Sequence, residues 1–265
     1  LDTTQLGIFG SDGSNVGGLS KSMLLVAKSE CLLKGGSADD FIIGSEVSDV
    51  EIRAGAGKDF INISNYQGGV VGDLAIDGGV GADVMIGAST QSNQNIRFIV
   101  DDSKDSVIAR ALGAHYSIES SVTYALNDVE KEATGLANST KFVTNLTLTG
   151  TKAINATGNS KDNILTGNVA ANVLDGGTGN DTMAGGAGND TYVWKSTYTG
   201  DSVITDSSGI DSISYQYNGI AGWSLTSGGK IFIQNYDANK NLLGTLTFDP
   251  GVIEKLDVKG SLNAS

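Results

Sequence analysis

Between residues 158 and 193 one large apolar side chain returns every nine positions. The segment divides without gaps into GNSKDNILT, GNVAANVLD, GGTGNDTMA and GGAGNDTYV. Each unit opens on glycine, carries Asn163, Asn172, Asp181 or Asp190 in sixth place, and has Leu165, Leu174, Met183 or Tyr192 in eighth. A polar turn of six residues followed by a strand of three fits this pattern, because only the middle residue of such a strand faces inward. A fixed nine-residue period also predicts stacked repeats, none of which can bury its apolar face alone. A looser block lies upstream: GGSADDFII from Gly35, GSEVSDVEI from Gly44, AGAGKDFIN from Ala54 and GGVGADVMI from Gly78. Its sixth positions are Asp40, Asp49, Asp59 and Asp83. The second of these units has Glu51 where an apolar residue belongs, and Arg53 is extra, so it reads as an imperfect or bulged turn.

The tetrapeptide DSVI occurs at 105–108 and again at 201–204, which suggests two rounds of one block-plus-spacer plan. Between the blocks, SVTYAL and KFVTNLTLT alternate as strands do, and 127–141 fits a short helix or a polar loop. After Tyr215 the repeats stop. WSLTSGGKIFIQNY reads as strand, Gly-Gly turn, strand, and LLGTLTF leads into the turn Asp249-Pro250-Gly251, which holds the only proline. The expected organisation is an N-terminal continuation or cap (1–32), a degenerate repeat block (33–105), a β-rich spacer (106–148), a regular block (149–194) and a C-terminal cap (195–265).

Composition narrows the chemistry. Of 265 residues 37 are glycine, and 23 Asp stand against 7 Glu, with 20 Asn beside them. Asp, Asn and Gly are residues of turns and of hard-cation sites. The net charge of -13 and the absence of a basic stripe exclude nucleic acid as a partner. A halophile's solvated surface would also be acidic, but the sixth-position clustering places carboxylates in turns. No apolar run reaches membrane-spanning length. Cys31 is alone, so neither an intrachain disulfide nor a cysteine zinc cluster can form, and it reads as a small buried hydrophobe. His115 is the only histidine and reads as incidental. Tyr192, Trp194 and Trp223 read as core and capping residues. There is no HExxH and no GxSxG, so the expectation is that the chain is not an enzyme. It starts at Leu1 without a charged-then-apolar leader, as a fragment or a mature form would.

The tandem GGxGND units resemble the RTX family of secreted bacterial proteins, built on GGxGxDxUx nonapeptides; the likeness is tight at 149–194 and loose over the rest of 33–215. The resemblance implies an all-β fold, a parallel β-roll or β-solenoid in which two units make one coil and residue i stacks over i+18. It also implies several calcium ions between stacked turns, held by sixth-position carboxylates and turn carbonyls. Carried onto this chain, the ligands are Gly36, Asp40, Asp49, Asp59, Asp83, Asn163, Asn172, Gly177, Gly179, Asp181, Gly186, Gly188 and Asp190. Asn163 would stack with Asp181, Asn172 with Asp190, and Asp40 with Asp59. Asp83 has no aspartate eighteen or nineteen residues away, which leaves it without a partner. Asparagine keeps an oxygen ligand but loses a charge, so its sites should be weaker. Zinc would want nitrogen or sulfur ligands, and magnesium a tighter octahedron.

The resemblance further implies export through a type I secretion apparatus that reads a C-terminal signal, here within 195–265. The expected function is a calcium-stiffened segment of a secreted or cell-surface protein of adhesin or surface-layer type. The carrier module of an exported protease, lipase or polysaccharide epimerase, or of an RTX toxin, would look the same. A cell-surface polysaccharide and self-association stay open as partners.

Overall fold

The structure, a computed structural model, describes residues 5–8, 23–27, 32–44, 51–64, 73–88, 95–110, 115–128, 140–206, 208–216, 220–225 and 230–259. Every regular element among them is a strand. The chain forms two compact units, 1–122 with 127–143, and 123–126 with 144–265. Most of the segment expected as a helix or polar loop, 129–139, lies outside the described residues, as do Asp49 and Cys31.

The first unit contains β1 (Gln5–Ile8), β2 (Met23–Ala27), β3 (Leu32–Lys34), β4 (Phe41–Gly44), β5 (Glu51–Arg53) and β6 (Phe60–Asn62). It continues with β7 (Asp73–Asp77), β8 (Val84–Ile86), β9 (Asn95–Val100), β10 (Ser106–Ile108) and β11 (His115–Ser120). These strands make two parallel sheets, in the orders β1-β2-β4-β6-β8-β10 and β3-β5-β7-β9-β11. From β3 onward the chain alternates between them, one strand to each sheet per coil. The alternation follows from strand length: three residues offer one inward side chain, which needs a second sheet to cover it. Ile42, Ile61, Met85 and Val107 accordingly stand in register in one sheet, and all four are fully buried. Removing each from water contributes about 1.5–3 kcal/mol. In β5 the inward place belongs to Ile52, while Arg53 Nε donates to Glu51 Oε1 (2.7 Å) on the outside. The irregular unit therefore keeps its apolar position by shifting one residue.

The second unit contains β12 (Tyr124–Ala125), β13 (Val143–Leu148), β14 (Ala156–Thr157), β15 (Ile164–Thr166), β16 (Val173–Asp175) and β17 (Thr182–Ala184). Then come β18 (Thr191–Lys195), β19 (Gly200–Ile204), β20 (Ser212–Gln216), β21 (Ile220–Leu225), β22 (Ile231–Tyr236), β23 (Leu242–Phe248) and β24 (Lys255–Lys259). One sheet runs β13-β15-β17-β19-β23-β22-β21 and the other β12-β14-β16-β18-β20-β24. All pairings are parallel except β21 with β22 and β22 with β23. Leu165, Leu174, Met183 and Tyr192 are each fully buried.

The coils continue past the regular units, and β24 carries the stacking beyond Tyr215, where the sequence repeats stop. β19 stacks on β17, β20 on β18, and β24 on β20. The two DSVI tetrapeptides, moreover, sit one residue out of phase. Val107 pairs with the inward Met85, whereas it is Ile204 that pairs with the inward Met183. The antiparallel strands β21 and β22 form the expected hairpin. Asn235 ties it down, its Nδ2 donating to Lys195 O (2.8 Å) and Tyr198 O (3.2 Å) while its Oδ1 accepts from Tyr215 (3.0 Å).

Candidate metal centres

Stacking of short strands brings the turns into columns, and the sixth-position side chains form ladders along them. In the first unit the Asp40 N–H donates to Asp59 Oδ1 (2.6 Å), the Asp59 N–H to Asp83 Oδ1 (2.8 Å) and the Asp83 N–H to Asp105 Oδ1 (3.0 Å). Asp83 is thus a middle rung with a partner on each side, which corrects its expected isolation. Its partners are 24 and 22 residues away, so a count of eighteen misses both. The Gly36 N–H donates to Asp40 Oδ2 (2.8 Å). Glycine in first place makes room for the carboxylate: a Cβ on Gly78 would collide with Asp83 Oδ2.

These carboxylates are buried, at 5% exposure or less. Asp59 Oδ2 and Asp83 Oδ2 have no hydrogen-bond partner. Burial pushes the Asp59 carboxyl up to about 6 and the Asp83 carboxyl up to about 7. In both cases a donated N–H pulls it partly back, and the charges of neighbouring aspartates raise it further. Asp105 is shifted upward by burial as well.

The second unit carries two ladders. One runs from the Asn163 N–H to Asp181 Oδ1 (2.9 Å) and from the Asp181 N–H to Ser202 Oγ (3.1 Å). The other runs from Asn172 to Asp190 Oδ1 (2.7 Å), from Asp190 to Asp211 Oδ1 (2.8 Å) and from Asp211 to Glu254 Oε2 (2.6 Å). The stacking of Asn163 with Asp181, of Asn172 with Asp190 and of Asp40 with Asp59 is as expected. Gly177 (φ 90°) and Gly179 (φ 124°) press against the carbonyls of Asn159 and Lys161 one coil below, and both need the left-handed region that glycine allows. Gly186 and Gly188 repeat the arrangement on Asn168 and Ala170.

The asparagine rungs behave differently. Asn172 Nδ2 donates to Ile154 O (2.6 Å) and Asn168 Oδ1 (3.1 Å), and Asn163 Nδ2 to Thr144 O (3.3 Å) and Asn159 Oδ1 (3.2 Å). Each amide supplies positive hydrogens to oxygens that a carboxylate would repel. Burial raises Asp181 to about 6 and moves Asp190 upward too.

Asp105, Asp206, Asp211 and Glu254 were missing from the ligands read in the sequence. Asp211 had a signal: DSSGIDSIS (206–214) keeps the nonapeptide spacing, with Asp206 in first place and Gly209 in fourth. Glu254 had none.

Residues 157–192 match the family model of the RTX calcium-binding nonapeptide repeat, in four copies. These residues are RTX repeats. No curated protein matches the chain.

The ladders of both units offer the donors that calcium takes. They are oxygens throughout, and buried carboxylate oxygens without partners stand in both units, at Asp59, Asp83 and Asp190. A buried acceptor left unpaired costs about 1–3 kcal/mol, more when it is charged. Calcium, when bound, supplies a doubly charged hard acid that accepts six to eight such oxygens without strict geometry. The residues fit the ion. No helix among the described residues is long and apolar enough to cross a membrane.

Proposed function

We propose that the chain is the calcium-folded part of an exported bacterial protein of adhesin or surface-layer type, and that its role is mechanical rather than enzymatic. The buried, partnerless oxygens of Asp59, Asp83 and Asp190 carry this reading. When ionised they hold negative charge away from water, a cost that a bound cation removes. Each bound ion adds RT ln(1 + [Ca]/Kd), about 1.4 kcal/mol at ten times Kd and almost nothing far below it. With extracellular calcium modules binding at about 10⁻⁴–10⁻³ M, the chain stays unfolded in the cytosol, passes a type I exporter as an extended polypeptide, and folds outside. A cell-surface polysaccharide or a second copy of the chain is then its partner.

Circular dichroism tests this directly. The β signal is expected to be small in EGTA and to rise cooperatively up to millimolar calcium. An identical spectrum and melting point in both conditions would overturn the reading.

A further inference from the structure

Beyond the matched repeats, the unit DSSGIDSIS (206–214) departs from the pattern at its first position. Its first position is Asp206, where the four regular units have Gly158, Gly167, Gly176 and Gly185. Asp206 is buried, at 7% exposure, as are Asp190 (1%) and Asp211 (2%). One carboxylate oxygen from each of the three lies within 4.8 Å of the others. The group is more than a crowd of acids, because Asp190 Oδ2 is fully buried without a hydrogen-bond partner. That oxygen lies where a Cβ on Gly185 would stand, and the N–H of the next residue, Gly186, donates to Asp206 Oδ1 (3.0 Å). The orphaned oxygen and the extra carboxylate therefore converge on the same two residues. Tyr192 fixes Asp206 from the core side, its hydroxyl donating to Asp206 Oδ2 (2.6 Å) and accepting from the Gly185 N–H (2.7 Å).

We propose that Asp190, Asp206 and Asp211 form a three-carboxylate calcium site, the tightest in the chain, and that Asp206 is the residue that makes it so. The inference rests on calcium binding by the repeats and adds a ligand from outside them. Affinity for calcium is tuned by ligand charge and by the rigidity of the site. Here a third charge joins the stacked pair Asp190 and Asp211, and the Tyr192 hydroxyl holds it in place. The ladder of Asp181 has no such addition, since its next rung is the neutral Ser202.

Calorimetric titration of the full chain with calcium separates the cases. The wild type is expected to bind one ion at least about tenfold more tightly than the rest. Asp206→Asn keeps the size of the side chain and should abolish that tight phase, as should Asp206→Gly, which restores the repeat residue. Asp181→Asn should leave the tight phase and remove weaker binding. An unchanged tight phase in both Asp206 variants, with calcium still bound, would overturn this site alone. A wild type that binds no calcium would overturn the reading beneath it as well. Should Asp206→Gly fail to fold, Asp206→Asn decides: a lost tight phase in a chain whose weaker sites still fill supports the site, and a retained one refutes it.

Discussion

The aspartate ladder of the first unit and the asparagine-started ladders of the second solve one problem in opposite ways. Both stack a polar side chain in sixth place, both bury it, and both hang it on the backbone N–H of the coil below. In the first unit, four carboxylates follow one another from Asp40 to Asp105, and two of them keep an oxygen with no partner. In the second, Asn163 and Asn172 end the column by turning an amide onto carbonyl oxygens. A side-chain NH2 group does locally what a cation does between carboxylates: it puts positive charge among buried oxygens. The difference teaches that one atom in sixth place, O or N, decides whether a turn brings its own positive hydrogen to the buried oxygens or leaves a carboxylate oxygen without a partner.

Reversing that atom in the second unit should have the largest effect. In Asn172→Asp a carboxylate would face Ile154 O, now 2.6 Å from Nδ2, with no hydrogen to offer. A buried mismatch of this kind costs about 3 kcal/mol. Calcium must offset that cost, so the concentration at half-folding should rise by about tenfold where two ions share the load. The calcium dependence should also steepen as a new ligand appears. A midpoint within twofold of wild type would break the comparison.

The converse change in the first unit should be smaller and of opposite sign. Asp83→Asn removes a buried charge, and in EGTA the unit should gain β structure, by an amount on the order of 1–2 kcal/mol. The pH dependence has the same origin. Asp59 and Asp83 titrate near 6 and near 7 when folded, against 3.8 when exposed. Between those values the folded state holds more protons, so stability in EGTA is greatest in acid and falls as the pH rises through 6 to 7. Lowering the pH from 8 to 5 in EGTA should restore part of the β signal, protons standing in for calcium. In Asp83→Asn the upper end of that window should move down, toward the Asp59 value. A β signal flat in pH would show that these carboxylates are neutralised in another way.

Much of this was legible in the sequence, and the failures have physical causes. The inward residues Ile42, Ile61, Met85, Leu165, Leu174, Met183 and Tyr192 follow from the eighth position alone, because strand alternation fixes them. The three stacked pairs followed from the resemblance to a known repeat. Asp105, and the pairing of Asp83 with Asp59 and Asp105, were missed because coils of unequal length spoil a fixed count while leaving the hydrogen bond intact. DSVI misled because four identical residues do not fix register; the neighbouring strand does, and it places Val107 inward in one copy and Ile204 in the other. Asp206 was overlooked because it occupies a place where the pattern asks for glycine, and the amide contacts of Asn163 and Asn172 depend on carbonyls a whole coil away.

The smallest expected effect tests whether charge or burial makes a rung depend on calcium. Glu254 ends the second unit's longer ladder, accepting the Asp211 N–H at 2.6 Å as Asp83 accepts that of Asp59 at 2.8 Å. Glu254→Gln and Asp83→Asn delete the same unit of charge and keep an acceptor oxygen. The settings differ: Asp83 is fully buried, whereas Glu254 is exposed at the end of the column. Water already screens the Glu254 charge, and exposed charge interactions are worth about 0–1 kcal/mol. Glu254→Gln should therefore shift the calcium midpoint by less than about twofold and leave the β signal in EGTA unchanged, while Asp83→Asn raises that signal. Equal responses in calcium titrations of the two variants would mean that the number of charges, rather than their removal from water, sets the need for the ion.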